Sequence, residues 1–177
     1  MGKLKNQIKE EYGRVTYTYT AYHKMSDRNI KLNSSIKIIQ IILTAVSATG
    51  FLATIITDRI LLSWIGGGAV VLSLFLNIYT KDFRLLDEAQ TYRNAANELW
   101  LIRQKYISLL CDFDSLTDSE IRKIRDALQE NVDDINKKYP GTSSYGYKKA
   151  KKALEKQEEQ FFSDEELSQM LPKELRY

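Results

Sequence analysis

His23 and Cys111 are the sole histidine and the sole cysteine of the chain, so neither a histidine-based metal cluster nor a catalytic triad can be assembled from its residues. The paired acids Asp133–Asp134 and Glu158–Glu159 fall where helix faces are expected to be solvated. Neither GxGxxG nor GxxxxGKS/T occurs, and the triplet Gly66, Gly67, Gly68 lies inside an apolar segment, where it cannot cradle a phosphate. The expectation is a protein with no enzymatic activity, no cofactor and no metal. A lone thiol beside Leu109, Leu110 and Phe113 reads as a small buried hydrophobe on the reducing side of a membrane.

The polar residues that do follow a pattern sit within apolar stretches. Lys37, Gln40, Thr44, Ser47 and Thr54 recur at helical spacing, and Ser63, Gly67, Ser73 and Asn77 form a looser polar and small face further on. Such faces suit two roles: lining a water-filled pore in an oligomer, or packing helix against helix through small residues and hydroxyls. Ala45, Thr49 and Ala53, spaced by four, are candidates for the close approach.

The elements that position these residues are set by where charge is missing. The chain of 177 residues is 44% hydrophobic and 28% charged, yet between Ile38 and Thr80 the only formal charges are Asp58 and Arg59. Ile38 to Thr57 and Ile60 to Thr80 are each about 20 residues, enough at 1.5 Å per residue to cross a hydrocarbon core of roughly 30 Å. Two spans joined by a bare turn make a transmembrane hairpin. Lys24, Arg28, Lys31 and Lys37 precede it and Lys81, Arg84 and Arg93 follow it, so the positive-inside rule puts both termini in the cytoplasm. Residues 1–37 contain no continuous apolar run that would act as a cleavable signal. The net charge of +3, with acids and bases interleaved, gives no basis for nucleic-acid binding.

Outside the hairpin the pattern is helical. Leu85, Ala89, Tyr92, Ala96, Leu99, Tyr106 and Leu110 step alternately by four and three, with Arg103 at the remaining seam position and Trp100 widening the apolar face. This is a bundle or oligomer seam. No breaker separates it from the second span, so the two are expected to form one long helix. Leu4, Ile8, Tyr12, Val15, Tyr19 and Tyr22 mark an N-terminal helix that should pack against this stripe. Thr117 with Glu120 and Ser163 with Glu166 read as capping boxes, Pro140-Gly141 as a stop, and residues 142–147 as a loop. Lys148, Lys149, Lys151, Lys152 and Lys156 then crowd a helix with Ala153, Leu154 and Phe161 on its apolar side. The expected class is an all-α membrane protein: an N-terminal helix in 1–35, a hairpin in 36–80, cytoplasmic helices in 81–139, and lysine-rich and acidic helices in 140–177.

The segments Tyr22-His23-Lys24 and Tyr92-Arg93-Asn94-Ala95-Ala96-Asn97-Glu98-Leu99-Trp100 flank the hairpin in an order that resembles the SLATT family. These are the SMODS- and SLOG-associating two-transmembrane effector domains of bacterial conflict systems, and the resemblance covers about residues 10–140, judged by element order. It implies a stand-alone antiphage effector in the inner membrane that oligomerises and forms or gates a pore. Opening would depolarise the cell and lead to death or growth arrest. Partners implied by the family include nucleotide second-messenger synthases and reverse transcriptases. The competing reading is a membrane-anchored scaffold that recruits a cytoplasmic enzyme, with the hairpin serving only as an anchor.

Overall fold

The computed structural model describes residues 2–57 and 59–172, and the described residues contain helices and no strand. The first helix, α1, runs unbroken from Gly2 to Thr57, so the N-terminal amphipathic segment and the first span are one rod. Alternating Thr and Tyr at 16–20 does not divert it, because every alternative to a helix there lacks a partner strand. After Arg59, α2 covers Ile60–Phe83 and α3 covers Leu85–Cys111. Only Arg84 separates them, at φ 41° and ψ 44°. The expected run of the second span into an extramembrane helix is therefore present, with one left-handed residue at the junction. Asp58, the other charge assigned to the turn, lies outside the described residues.

Below the hairpin, α1 and α3 pack antiparallel. Ser26 Oγ donates to the Ala89 carbonyl at 2.9 Å, and Asn29 Nδ2 to Glu88 Oε2 at 3.0 Å, near the hairpin end. Tyr22 stacks on Tyr92 lower down. A short 3₁₀ turn at Phe113–Ser115 leads to α4, Asp118–Lys138, which lays Ile121, Leu128 and Ile135 into the same core. These three are seven residues apart, so one stripe of α4 suffices to close a three-helix bundle. Thr117 and Glu120 form the capping box expected, and the Tyr22 hydroxyl donates to the Pro140 carbonyl at 2.8 Å, fastening the end of α4 to α1. The core of Ile8, Val15, Tyr22, Ala95, Ala96, Leu99, Tyr106 and Phe113 is nearly or fully sealed from solvent.

Helix α5, Ser144–Lys156, begins inside the segment expected to be a loop. Ser143 accepts from the Gly146 amide and starts the helix. Gly146 is buried against α1 so closely that a Cβ there would sit 2.8 Å from Met25 Sδ, which is why a residue read as a loop marker is helical. Ala150, Ala153 and Leu154 face the bundle, and the lysines face outward. Phe161, expected on that apolar side, is instead exposed, because α5 ends at Lys156 and the chain turns away. A second capping box, Ser163 with Glu166, opens α6, Asp164–Met170. Cys111 is exposed rather than buried: it is the last residue of α3, and the inward positions around it belong to Leu109 and Phe113.

Candidate functional site

The hairpin shows what surrounds it. None of the most apolar stretch of α1 is buried, and Ile41, Phe51, Ile55, Trp64 and Phe75 present more than half of their surface outward. The core helix of a water-soluble protein would hide these side chains. Two adjacent helices that are long enough to cross a bilayer, and that turn their large apolar residues outward, have lipid as their solvent.

The inward face is built from small and polar residues. Gly66 and Ala69 are the buried residues of α2, and Ile36, Leu43, Ser47, Gly50 and Thr54 of α1 turn partly or wholly inward. The closest approach lies at Gly50 and Gly66. A Cβ on Gly50 would stand 3.0 Å from the Leu62 carbonyl and 3.3 Å from Gly66 Cα, and one on Gly66 would stand 3.2 Å from the Ser47 carbonyl. Glycine is required here for contact rather than for backbone freedom. Of the four-residue series Ala45, Thr49, Ala53, the first two are exposed and Ala53 is half-buried, and the closest crossing runs along the next face, at Gly50. Gly67, proposed for the polar face, has open space where a side chain would stand, and its neighbour Gly66 takes the packing position.

Polar side chains bridge the spans at two levels. Gln40 Nε2 donates to Asn77 Oδ1 at 2.8 Å near the bundle, and Ser63 Oγ donates to Thr54 Oγ1 at 2.9 Å near the turn. Thr44, Thr49 and Thr54 each donate to the carbonyl four residues back, so their hydroxyls are satisfied without water. Between the two levels a groove of about 320 Å³ is lined by Leu43, Thr44, Ser47, Ala48, Val70, Ser73 and Leu74. Thr44, Gly67 and Asn77 are thus exposed, whereas Gln40, Ser47, Thr54 and Ser73 are half-buried against the partner span.

In the bundle, Leu85, Ala89, Ala96, Leu99 and Tyr106 are buried, Tyr92 and Leu110 are half-buried, and Trp100 is partly exposed. The surface they fill is α1 of the same chain. Burial pushes the Tyr106 phenol up to about 12. His23, edge-on to Tyr19 at 4.7 Å, is held below its ordinary value, chiefly by burial. Lys138 and Tyr139 both donate to Glu98, which keeps that carboxylate below its usual range. No group of three or more His, Cys, Asp or Glu side chains gathers to hold a metal among the described residues.

Sequence reasoning missed the Gly50–Gly66 crossing, for which the only available signal was the absence of a side chain at two positions about 16 residues apart across the turn. No curated protein and no solved structure matches this chain. A family model does, over residues 4–166, and it takes in the hairpin, the bundle and α5. Two membrane spans are what its description names, and the chain belongs to the SMODS and SLOG-associating 2TM effector domain family 4, a family of defence-associated membrane effectors.

Proposed function

We propose that this chain is the membrane effector of a bacterial antiphage-defence system, and that copies assemble so that their hairpins surround a conduit. Opening depolarises the inner membrane and stops phage propagation by cell death or growth arrest. Both termini face the cytoplasm, following the lysines and arginines that flank the spans. A separate partner, such as a nucleotide second-messenger synthase or a reverse transcriptase system, supplies the trigger.

The observation that carries this reading is the Gln40–Asn77 pair. Their bond uses one Gln40 N–H and the Asn77 oxygen, and the Gln40 oxygen and the Asn77 NH₂ have no other partner among the described residues. Amide groups left unpaired against acyl chains cost free energy, whereas facing a wet lumen they are solvated. Two helices cannot enclose water, so a conduit requires further copies. The apolar side chain of Leu74, which lines the groove beside Thr44, Ser47 and Ser73, would close it by excluding water.

Ion leak from liposomes that contain the purified protein tests the proposal. Gln40→Leu and Asn77→Leu should each lower triggered leak, and impermeability under every candidate trigger would overturn it. Replacing both spans with an unrelated hairpin separates a conduit from an anchored scaffold, since only the scaffold would keep its cellular activity.

A further inference from the structure

Among the described residues, one buried cation of the bundle has no counter-ion. Arg103 on α3 is 8% exposed, its Nε–H lacks an acceptor, and it forms no ion pair among the described residues. Its guanidinium lies over two rings, 5.0 Å from Trp100 and 5.5 Å from Tyr12. Tyr19 packs on Trp100 at 5.5 Å and continues the aromatic wall towards His23. Tyr12, Tyr19 and His23 stand at i, i+7 and i+11 and share a face of α1 distinct from that of Arg14 and Thr18, which lie opposite Asp133 and Asn136 of α4. Trp100 is 39% exposed, so this seam is open. Aromatic walls stabilise a cation but give its N–H groups no acceptor, and Trp, Tyr and Arg are the residues on which interfaces concentrate their energy. An anion with apolar flanks would complement this seam.

The chain carries such a group outside its own seam. Glu159 pairs with Lys24 at 2.8 Å, and Gln160 Nε2 donates to Thr20 Oγ1 at 2.9 Å, which fixes the start of the C-terminal segment on α1. Beyond that anchor Phe161 and Phe162 are 62% and 56% exposed, α6 has no buried residue, and neither Asp164 nor Glu165 forms an ion pair among the described residues.

We propose that this acidic, phenylalanine-bearing segment of one copy docks in the Arg103–Trp100 seam of a second copy. A carboxylate of Asp164 or Glu165 accepts from the guanidinium, and a phenylalanine covers Trp100. The contact joins two different surfaces, so it repeats head to tail and closes into a ring when the rotation permits. It rests on the reading of the chain as an assembling effector and supplies the contact that the Leu85–Leu110 stripe, already filled by α1, does not.

The test uses the full chain in detergent with Trp64→Phe, which leaves Trp100 as the sole tryptophan. Acrylamide quenching of Trp100 should fall as protein concentration rises, in step with mass by light scattering. The double variant Asp164→Lys, Glu165→Lys should weaken association by roughly thirtyfold, the scale of losing an interface hot spot, with helicity unchanged. Adding Arg103→Glu to that variant should restore association; should it fail to fold, the lysine variants and the quenching still decide. Quenching independent of concentration, or a mass unaffected by the lysine variants, overturns the contact. Leak is not read here, so loss of conduction with intact assembly would count against the conduit alone.

Discussion

Gly50 and Gly66 meet backbone to backbone, with Gly66 Cα 3.3 Å from where a Cβ on Gly50 would stand. The neighbouring atoms are all backbone atoms rather than side-chain ends, so any added group must push whole helices apart. Gly50→Val should therefore destabilise the hairpin by about 1–3 kcal/mol, as overpacking does elsewhere. Gly67→Ala, with open space, should be nearly neutral. Thermal unfolding of both variants in the same detergent checks the contrast; equal losses would show that the crossing is elsewhere.

The Gln40–Asn77 bond is expected to couple the spans modestly. Interhelical hydrogen bonds in membranes average about 0.6 kcal/mol in double-mutant cycles. Gln40→Leu, Asn77→Leu and the double variant should give a coupling of that order in steric-trap unfolding. Additive single effects would mean the two side chains do not meet in the bilayer.

His23 gives the bundle a dependence on pH. Burial is the main cause of its lowered pKa; Arg93 and Lys24 lower it further, and Asp27 opposes them. The unfolded chain takes up the proton near pH 6.5 and the folded chain only at a lower pH. His23's contribution to stability is therefore complete above about 6.5 and is lost as pH falls towards and through the folded value. Melting temperatures from pH 8 to 5 should drop less steeply for His23→Gln than for the unaltered chain; parallel curves would remove His23 as the cause.

Arg84 holds a left-handed conformation that costs an L-residue roughly 1–2 kcal/mol. Arg84→Gly removes that strain but loses backbone entropy on folding, so its net effect should be small. Arg84→Val, branched at Cβ, should cost about 1–2 kcal/mol. The exposed Arg84–Asp87 ion pair at 3.7 Å adds little to either difference. Denaturant titration of the two variants should separate them by that margin, and equal midpoints would refute a fixed joint.

Much of this architecture could be read from residue order. The absence of charge from Ile38 to Thr57 and from Ile60 to Thr80 marks both spans, and the capping residues Thr117 and Ser163 mark two helix starts to the residue. The stripe on α3 and the apolar series in α1 name each other as partners. Inside the bilayer the same logic fails: lipid-facing and helix-facing positions are both apolar, so periodicity could not choose between the Ala45 series and the Gly50 crossing. The joint at Arg84 carries neither glycine nor proline, and the early start of α5 depends on Met25, which is distant in sequence. The exposure of Cys111 is not legible in the sequence, because an apolar pattern does not announce where its helix ends.

The two spans differ in how they are tied to the bundle. α1 is an uninterrupted shaft of about 84 Å, whereas α2 has a knuckle one residue wide where it leaves the bilayer. A tilt of the bundle is carried along the whole length of α1, with the largest excursion at the far turn, whereas it reaches α2 only through Arg84. The hairpin is thus a stiff mast beside a jointed strut, and sliding of one along the other would be felt first at the glycine crossing between them.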